Sequence, residues 1–303
     1  MESTHVNGAV MLKVVVTGAN GFVGKQLCAL LLATPNLKLT QVTRQHNNPI
    51  DTINSDALSD KEMIEELSGY DCLIHLAARA HTKNSTECDF QRDNIELSKR
   101  LARIATSAKI KHFIFLSSIK VLGNSTELHA PFNNTSTPCP ADTYGQSKWE
   151  SELAIKKQLE GSATALIIVR PPLIWGANCK GNLHTLITVI NKGIPIPFAK
   201  INNSRDIISL DNLCDFLLHI ILHPKAENAT FLVSDEKKRN VSDIIHLLES
   251  YTSKKAKLIK IPHLIFKVLK LHPRFSAKVS SFYDNLEVDI TDTKNALNWA
   301  PKN

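Results

Sequence analysis

The sequence predicts an α/β protein: a doubly wound parallel sheet followed by a smaller mixed α/β lobe. Three observations carry that expectation. Short β-branched or apolar runs alternate with amphipathic helical patterns from residue 12 to residue 170. A glycine-rich turn joins the first run to the first helical pattern. After Pro171-Pro172 the rhythm breaks into shorter elements. The expected division is a dinucleotide-binding unit over 1–172 and a mainly substrate-binding lobe over 173–303.

Each element has its own signal. LKVVVTG (12–18) reads as a buried strand ending at a turn. The helix after it places Val23, Leu27, Leu30 and Leu31 on one face. LKLTQVTR (37–44) is a second strand, and a third, shorter one lies within 48–60. Ser59 or Asp60 then caps the helix KEMIEEL. DCLIHLAA (71–78) is a strand, 96–110 a helix, and KHFIFLSS (111–118) a strand. A loop rich in Pro, Asn and Thr spans 123–143. A helix over 144–160 and a strand over 164–170 close the alternating part. The later segments read as helices at 183–193, 211–222 and 241–250, with extended pieces at 205–210 and 229–234.

Composition excludes several classes. With 43% hydrophobic and 21% charged residues, the chain is an ordinary globular protein. A formal charge of +7 favours anionic partners without choosing among them. The six cysteines form no C-x-x-C pair and no Cys/His cluster of zinc spacing, so reduced thiols and no metal are expected. The N-terminus lacks a basic stretch followed by a long apolar one, and no run approaches the roughly 20 apolar residues of a membrane span. A cytoplasmic protein is expected. Neither an aromatic stacking platform nor a DNA-binding motif is present, so nucleic acid is not an expected partner.

TGANGFVG (17–24) spaces its glycines G-x-x-G-x-x-G between a strand and a helix, the context that makes such a turn a phosphate seat. Gly18 permits the turn, Gly21 the approach of a pyrophosphate and Gly24 close helix–strand packing. Asn20, Phe22 and Val23 complete the turn, at a helix N-terminus that attracts anions. In such sheets ligands lie beyond the carboxyl ends of the strands. Leu76, Ala77, Ala78 and Pro171 are therefore further candidate cofactor contacts, and Asp56-Ala57 is placed to meet an adenine ring. The second strand ends Thr43-Arg44-Gln45, without the acid that holds the ribose 2′-OH of NAD. Arg44 instead suits the 2′-phosphate of NADP.

YGQSK puts Tyr144 and Lys148 four apart, on one face of a helix. An ammonium beside a phenol favours the phenolate, so Tyr144 is a candidate proton carrier near neutral pH. Lys148 also suits a hydrogen bond to a nicotinamide ribose. Ser118, at a strand end, suits a substrate carbonyl or hydroxyl.

In order, TGANGFVG, HLAA, FLSSIKVLG, YGQSK, RPPLIWG and RDIISLDNL resemble the extended short-chain dehydrogenase/reductases. More narrowly, the chain resembles the NAD-dependent epimerase/dehydratase family of nucleotide-sugar enzymes, with UDP-glucose 4-epimerase-like proteins of surface polysaccharide pathways as the nearest group. The likeness runs from Leu12 to LNWAP (297–301). It implies a Rossmann-type sheet, NAD(P), a UDP-sugar substrate and the catalytic set Ser118, Tyr144 and Lys148. It further implies nucleotide contact at Asn182-Leu183, diphosphate contact at Arg205, a structural or cofactor-adjacent role for Asn94, and a homodimer through the helices that carry Ser98 and Tyr144.

In this family 4,6-dehydratases carry an Asp-Glu pair after the catalytic Ser/Thr. Here Ile119-Lys120 follows Ser118, which argues against dehydration. A 4-epimerase retaining NAD is the first expectation. A 4-ketoreductase using NADPH is the second, favoured by Arg44. A non-catalytic NAD(P)-sensing protein is the distant third. The stretch 254–278 carries eight basic residues and no acid. Leu264, Phe266, Val268 and Leu271 lie among them. It reads as a packed helix pair with a basic face, or as a contact for an anionic membrane. His75 is expected to be a packed residue near the cofactor, and Trp149, Trp175 and Trp299 to pack. His81 and Cys139 lie near the expected site without a spacing that assigns them a role.

Overall fold

The computed structural model describes residues 11–44, 51–80, 85–199, 201–223, 226–262, 265–266, 279–280 and 282–302. Seven strands form one parallel sheet: β1 (Leu12–Thr17), β2 (Leu37–Thr43), β3 (Thr52–Asn54), β4 (Cys72–His75), β5 (His112–Leu116), β6 (Ala165–Arg170) and β9 (Ala229–Leu232). Their order is β3-β2-β1-β4-β5-β6-β9. The chain thus winds outwards from β1 in one direction, then returns to the other side at β4. The gap between β1 and β4 is the switch point at which such sheets take ligands.

Helices cover both faces. Their apolar stripes meet the sheet residues that alternate between faces, giving two clusters. One joins Val14, Val16 and Ile74 to α1 (Phe22–Leu32) and α7 (Leu210–Leu222). The other joins Val15, Leu73 and Phe113 to α4 (Leu97–Ser107) and α5 (Thr143–Leu159). Against α4 in this second cluster, α2 (Asp60–Glu66) starts at a Ser59 capping box.

The helix expected over 96–110 begins earlier. A Thr86 capping box starts α3 (Glu87–Phe90), and a wider π-helical turn over Gln91–Glu96 leads into α4. The polar composition of 87–96 had hidden this part.

Beyond residue 172 the chain does not stay in one lobe. β7 (Leu173–Trp175), which the sequence did not signal after two prolines, pairs in parallel with β8 (Ile207–Ser209) as a separate ribbon. Then α7 packs on α1, and β9 joins the main sheet beside β6. A third apolar cluster builds the lobe from α6 (Gly181–Asn191), α8 (Val241–Leu248) and neighbouring segments. A last helix, α9 (Thr291–Leu297), packs near β9. All six cysteines are free. Among the described residues no helix is long and apolar enough to cross a membrane.

Candidate active site

The turn after β1 is packed so closely that two of its glycines are obligatory. Gly18 has φ +73°, and a Cβ there would lie 2.6 Å from the Ala77 nitrogen. A Cβ on Gly24 would lie 2.2 Å from the Gly18 oxygen. The turn, the end of β4 and the first turn of α1 therefore converge. Gly21 closes the turn, its N–H donating to the Gly18 oxygen at 2.8 Å. No side chain caps α1 and no acid stands in its first turn, which leaves its N-terminal N–H groups and positive dipole end available to an anion. These residues fit the pyrophosphate of a dinucleotide.

The remaining candidate cofactor residues lie at strand ends. Leu76 and Ala77 are half-buried beside Gly18, and Ala78 is exposed. Exposed Arg44 directly follows β2. Asp56 and Ala57 are exposed in the turn after β3, where the Asp56 N–H donates to Asn54 Oδ1. Pro171 is buried, its carbonyl accepting from the Ile119 N–H at 2.9 Å. That bond ties the end of β6 to the turn after Ser118.

Ser118 and Tyr144 come together. Ser118 caps a short 3₁₀ turn (Ile119–Val121) after β5, and its hydroxyl hydrogen-bonds the Tyr144 phenol. Tyr144 stands in the first turn of α5, whose N-cap Asp142 accepts from the Gly145 N–H at 2.7 Å. One turn on, Lys148 is buried, its ammonium 3.9 Å from the centre of the Phe115 ring. Burial pulls Lys148 down to about 7, and the charge of Glu152 opposes that. Tyr144 is pushed up to about 12, first by burial and then by Asp142, against the Ser118 hydrogen bond. Burial and the Asp142 charge thus favour the neutral phenol, and the Ser118 hydrogen bond favours the phenolate.

His75 is fully buried on β4, bonded to Thr17 Oγ1 at 2.7 Å and Ser98 Oγ at 3.0 Å. Burial, with the Lys148 charge, lowers it to about 3, so it stays neutral and only packs. Asn94 faces inward from the π-helical turn. Its Oδ1 accepts from the Arg79 N–H at 2.7 Å, and its Nδ2 donates to the Arg79 carbonyl and to Ser147 Oγ.

In the lobe, Arg205 is buried and donates to the Asp284 carbonyl at 2.5 Å. Burial lowers it to about 10, partly opposed by Asp284. Asp206 accepts instead from the Val288 N–H and Asp211 from Gln26. Asn182 is half-buried at the start of α6, whereas the Leu183 side chain lies in the lobe's core. Trp175 donates to Asp235 and Trp299 to Asp215, while Trp149 packs beside Arg170. Cys139 is exposed, and His81 lies outside the described residues.

Two groups near the site escaped the sequence reading. Glu152 continues the 144–148 face by another four residues, a spacing that was legible. It accepts from Arg170 through both oxygens, at 2.9 and 2.6 Å, and from Ser117 at 2.5 Å. Asp142 precedes the helix at the position where an N-cap is expected, and it pairs with Lys120.

Against known sequences, the profile of the NAD dependent epimerase/dehydratase family matches residues 14–233. The chain belongs to that family. This NAD-dependent epimerase/dehydratase family member is an enzyme by descent, and a nicotinamide dinucleotide is the ligand its β1–α1 turn accommodates. It is 32% identical over 299 residues to a UDP-glucose 4-epimerase of Vibrio cholerae, covering 95% of this chain and 90% of that one. It is 24% identical to the N-acetyl-alpha-D-glucosaminyl-diphospho-ditrans,octacis-undecaprenol 4-epimerase of Escherichia coli O157:H7, covering 82% and 75%. Its fold is similar to UDP-N-acetylglucosamine 4-epimerase from Bacillus cereus, with a TM-score of 0.77, 17% identity, and 96% and 92% of the two chains covered. It is likewise similar to UDP-glucuronic acid 4-epimerase from the same organism in complex with NAD, with a TM-score of 0.75, 19% identity, and 96% and 94% covered. Among the described residues no group of His, Cys, Asp or Glu is arranged to hold a metal ion.

Proposed function

We propose that this family member is a UDP-sugar 4-epimerase acting on a UDP-hexose or UDP-N-acetylhexosamine in surface polysaccharide precursor synthesis. The observation that carries the reading is the Ser118–Tyr144 hydrogen bond with Lys148 one helical turn on. A bound nicotinamide would supply a hydride acceptor and donor for C4. Acting as the phenolate, Tyr144 takes the C4 hydroxyl proton as the ketone forms, becoming the neutral phenol, and returns that proton as the ketone is reduced from the other face. Ser118 orients the C4 oxygen, Lys148 holds the nicotinamide ribose, and Arg205 with Asn182 and Leu183 binds the nucleotide diphosphate. Ile119 and Lys120 do not replace a dehydratase's acid and base.

A second reading, an NADPH-dependent 4-ketoreductase of a UDP-4-keto-6-deoxy-sugar, is favoured by exposed Arg44 after β2, where no acid meets a ribose. Releasing and identifying the nucleotide that co-purifies with the protein separates the two. Tightly held NAD⁺ is the expected outcome. An empty site that prefers NADPH overturns the epimerase reading.

For partners, we propose contact between the lobe and an anionic bilayer. Lys254, Lys255, Lys257 and Lys260 are exposed, as are Ile259 and Ile265 at 45% and 44%. The extended stretch carrying Ile259 pairs with Ile196, which fixes it on the lobe's surface. Phe266 is buried and stacks on Phe198. Leu264, Lys267, Val268, Lys270, Leu271, Arg274 and Lys278 lie outside the described residues. Co-sedimentation with vesicles containing phosphatidylglycerol, but not with neutral phosphatidylcholine vesicles, is expected; sedimentation independent of lipid charge ends the proposal.

A further inference from the structure

Tyr144 has an ion pair at its side that the proposed reaction leaves without a task. Lys120 Nζ lies 2.5 Å from Asp142 Oδ2 and 6.0 Å from the centre of the Tyr144 ring. Asp142 is two residues before Tyr144 and caps its helix through Oδ1, so its second oxygen is held towards Lys120. The Lys120 N–H in turn donates to Ser118 Oγ, the hydroxyl that bonds the phenol. Both charges are thus fixed to the two residues that handle the proton.

We propose that the Lys120–Asp142 pair is a positioning device for Tyr144, the lysine offsetting part of the field that the capping carboxylate imposes on the phenol. This rests on the reading of Tyr144 as the proton carrier. The pair is only partly exposed, at 40% and 31% of the two side chains, so its field is incompletely screened by water. Burial pushes Asp142 up, but Lys120, the Gly145 N–H and Asn124 together hold it below its ordinary range. It therefore stays an anion, and an anion beside a phenol disfavours the phenolate. The other charged groups along the face, Lys148 with Glu152 and neutral His75 on β4, lie a turn or more further on and are common to every variant below.

The test compares the wild type with Lys120→Met, Lys120→Arg and Asp142→Asn, the last chosen because asparagine keeps the helix cap. The first readout is phenolate absorbance in the cofactor-free protein, taken as the difference from the matching Tyr144→Phe protein, with circular dichroism confirming the fold at each pH. Asp142→Asn is expected to lower the Tyr144 midpoint by about 0.5–1 pH unit. Lys120→Met and Lys120→Arg are compared by rate near neutral pH, where a lysine carries its charge, and Lys120→Arg is expected to keep the wild-type rate. The second readout is kcat/KM against pH below 10. Where rate rises with phenolate, the same shifts appear as roughly three- to ten-fold gains and losses at fixed pH. An Asp142→Asn midpoint that stays still, or neutral-pH rates that move in one direction for Asp142→Asn and Lys120→Met, overturn the proposal and leave the pair as a brace on the helix. The absorbance readout needs no turnover. Loss of the Tyr144 mechanism would therefore show as a normal titration with no effect of Tyr144→Phe on rate.

Discussion

Tyr144→Phe is expected to lower turnover of a UDP-sugar by roughly 10²–10⁴-fold, the usual worth of positioned acid–base catalysis. The substitution removes one oxygen and leaves the ring. The Lys120–Asp142 pair does not depend on that oxygen. The dinucleotide turn at Gly18 and Gly24 is built from β1, β4 and α1 and does not involve α5. Nucleotide affinity should therefore stay close to wild type, and the loss should fall on kcat. Single-turnover hydride transfer with bound nucleotide, alongside equilibrium nucleotide binding, checks both halves. Turnover near the wild-type rate removes Tyr144 from the mechanism.

The second large effect concerns stability. Glu152 has no side-chain exposure and Arg170 only 6%. Their two hydrogen bonds, with the one from Ser117, hold the carboxylate by β5 and β6. Arg170→Met strands that carboxylate in the interior, and breaking one partner of a buried pair costs about 3–5 kcal/mol. A urea midpoint should fall accordingly. Adding Glu152→Leu should recover part of the loss, because it is the uncompensated charge that is expensive rather than the missing attraction. A single variant that loses less than about 1 kcal/mol would falsify this account of the pair, since that is the range of exposed ion pairs.

The strands of the main sheet were legible because each is a short apolar run stopped by a turn residue. β1 at LKVVVT and β6 at ALIIVR fall where the pattern puts them. β7 was not legible, since LIW after two prolines is too short to carry a period and its order comes from pairing with β8. The start of the 87–107 helical run was hidden because residues 87–96 are polar and signalled chiefly by the Thr86 capping box. At the candidate site, Gly18, Gly21 and Gly24 stood out by their spacing between a strand and a helix, and Tyr144 with Lys148 by following that turn and the strand-end Ser118. What burial does to the Tyr144 phenol was not readable, because it depends on what β5 and the turn after Ser118 lay against that phenol. Lys120 and Asp142 are 22 residues apart in sequence, and only the fold makes them neighbours.

The π-helical turn at Gln91–Glu96 has a mechanical consequence. By widening the helical ladder at one point it aims the Asn94 amide at two places at once, the chain leaving β4 at Arg79 and Ser147 on α5. Ser147 is flanked by the lysine and, three residues back, by the tyrosine. A displacement on either side is thereby passed to the other through one side chain, which ties the first turns of α5, where Tyr144 stands, to the chain that leaves β4.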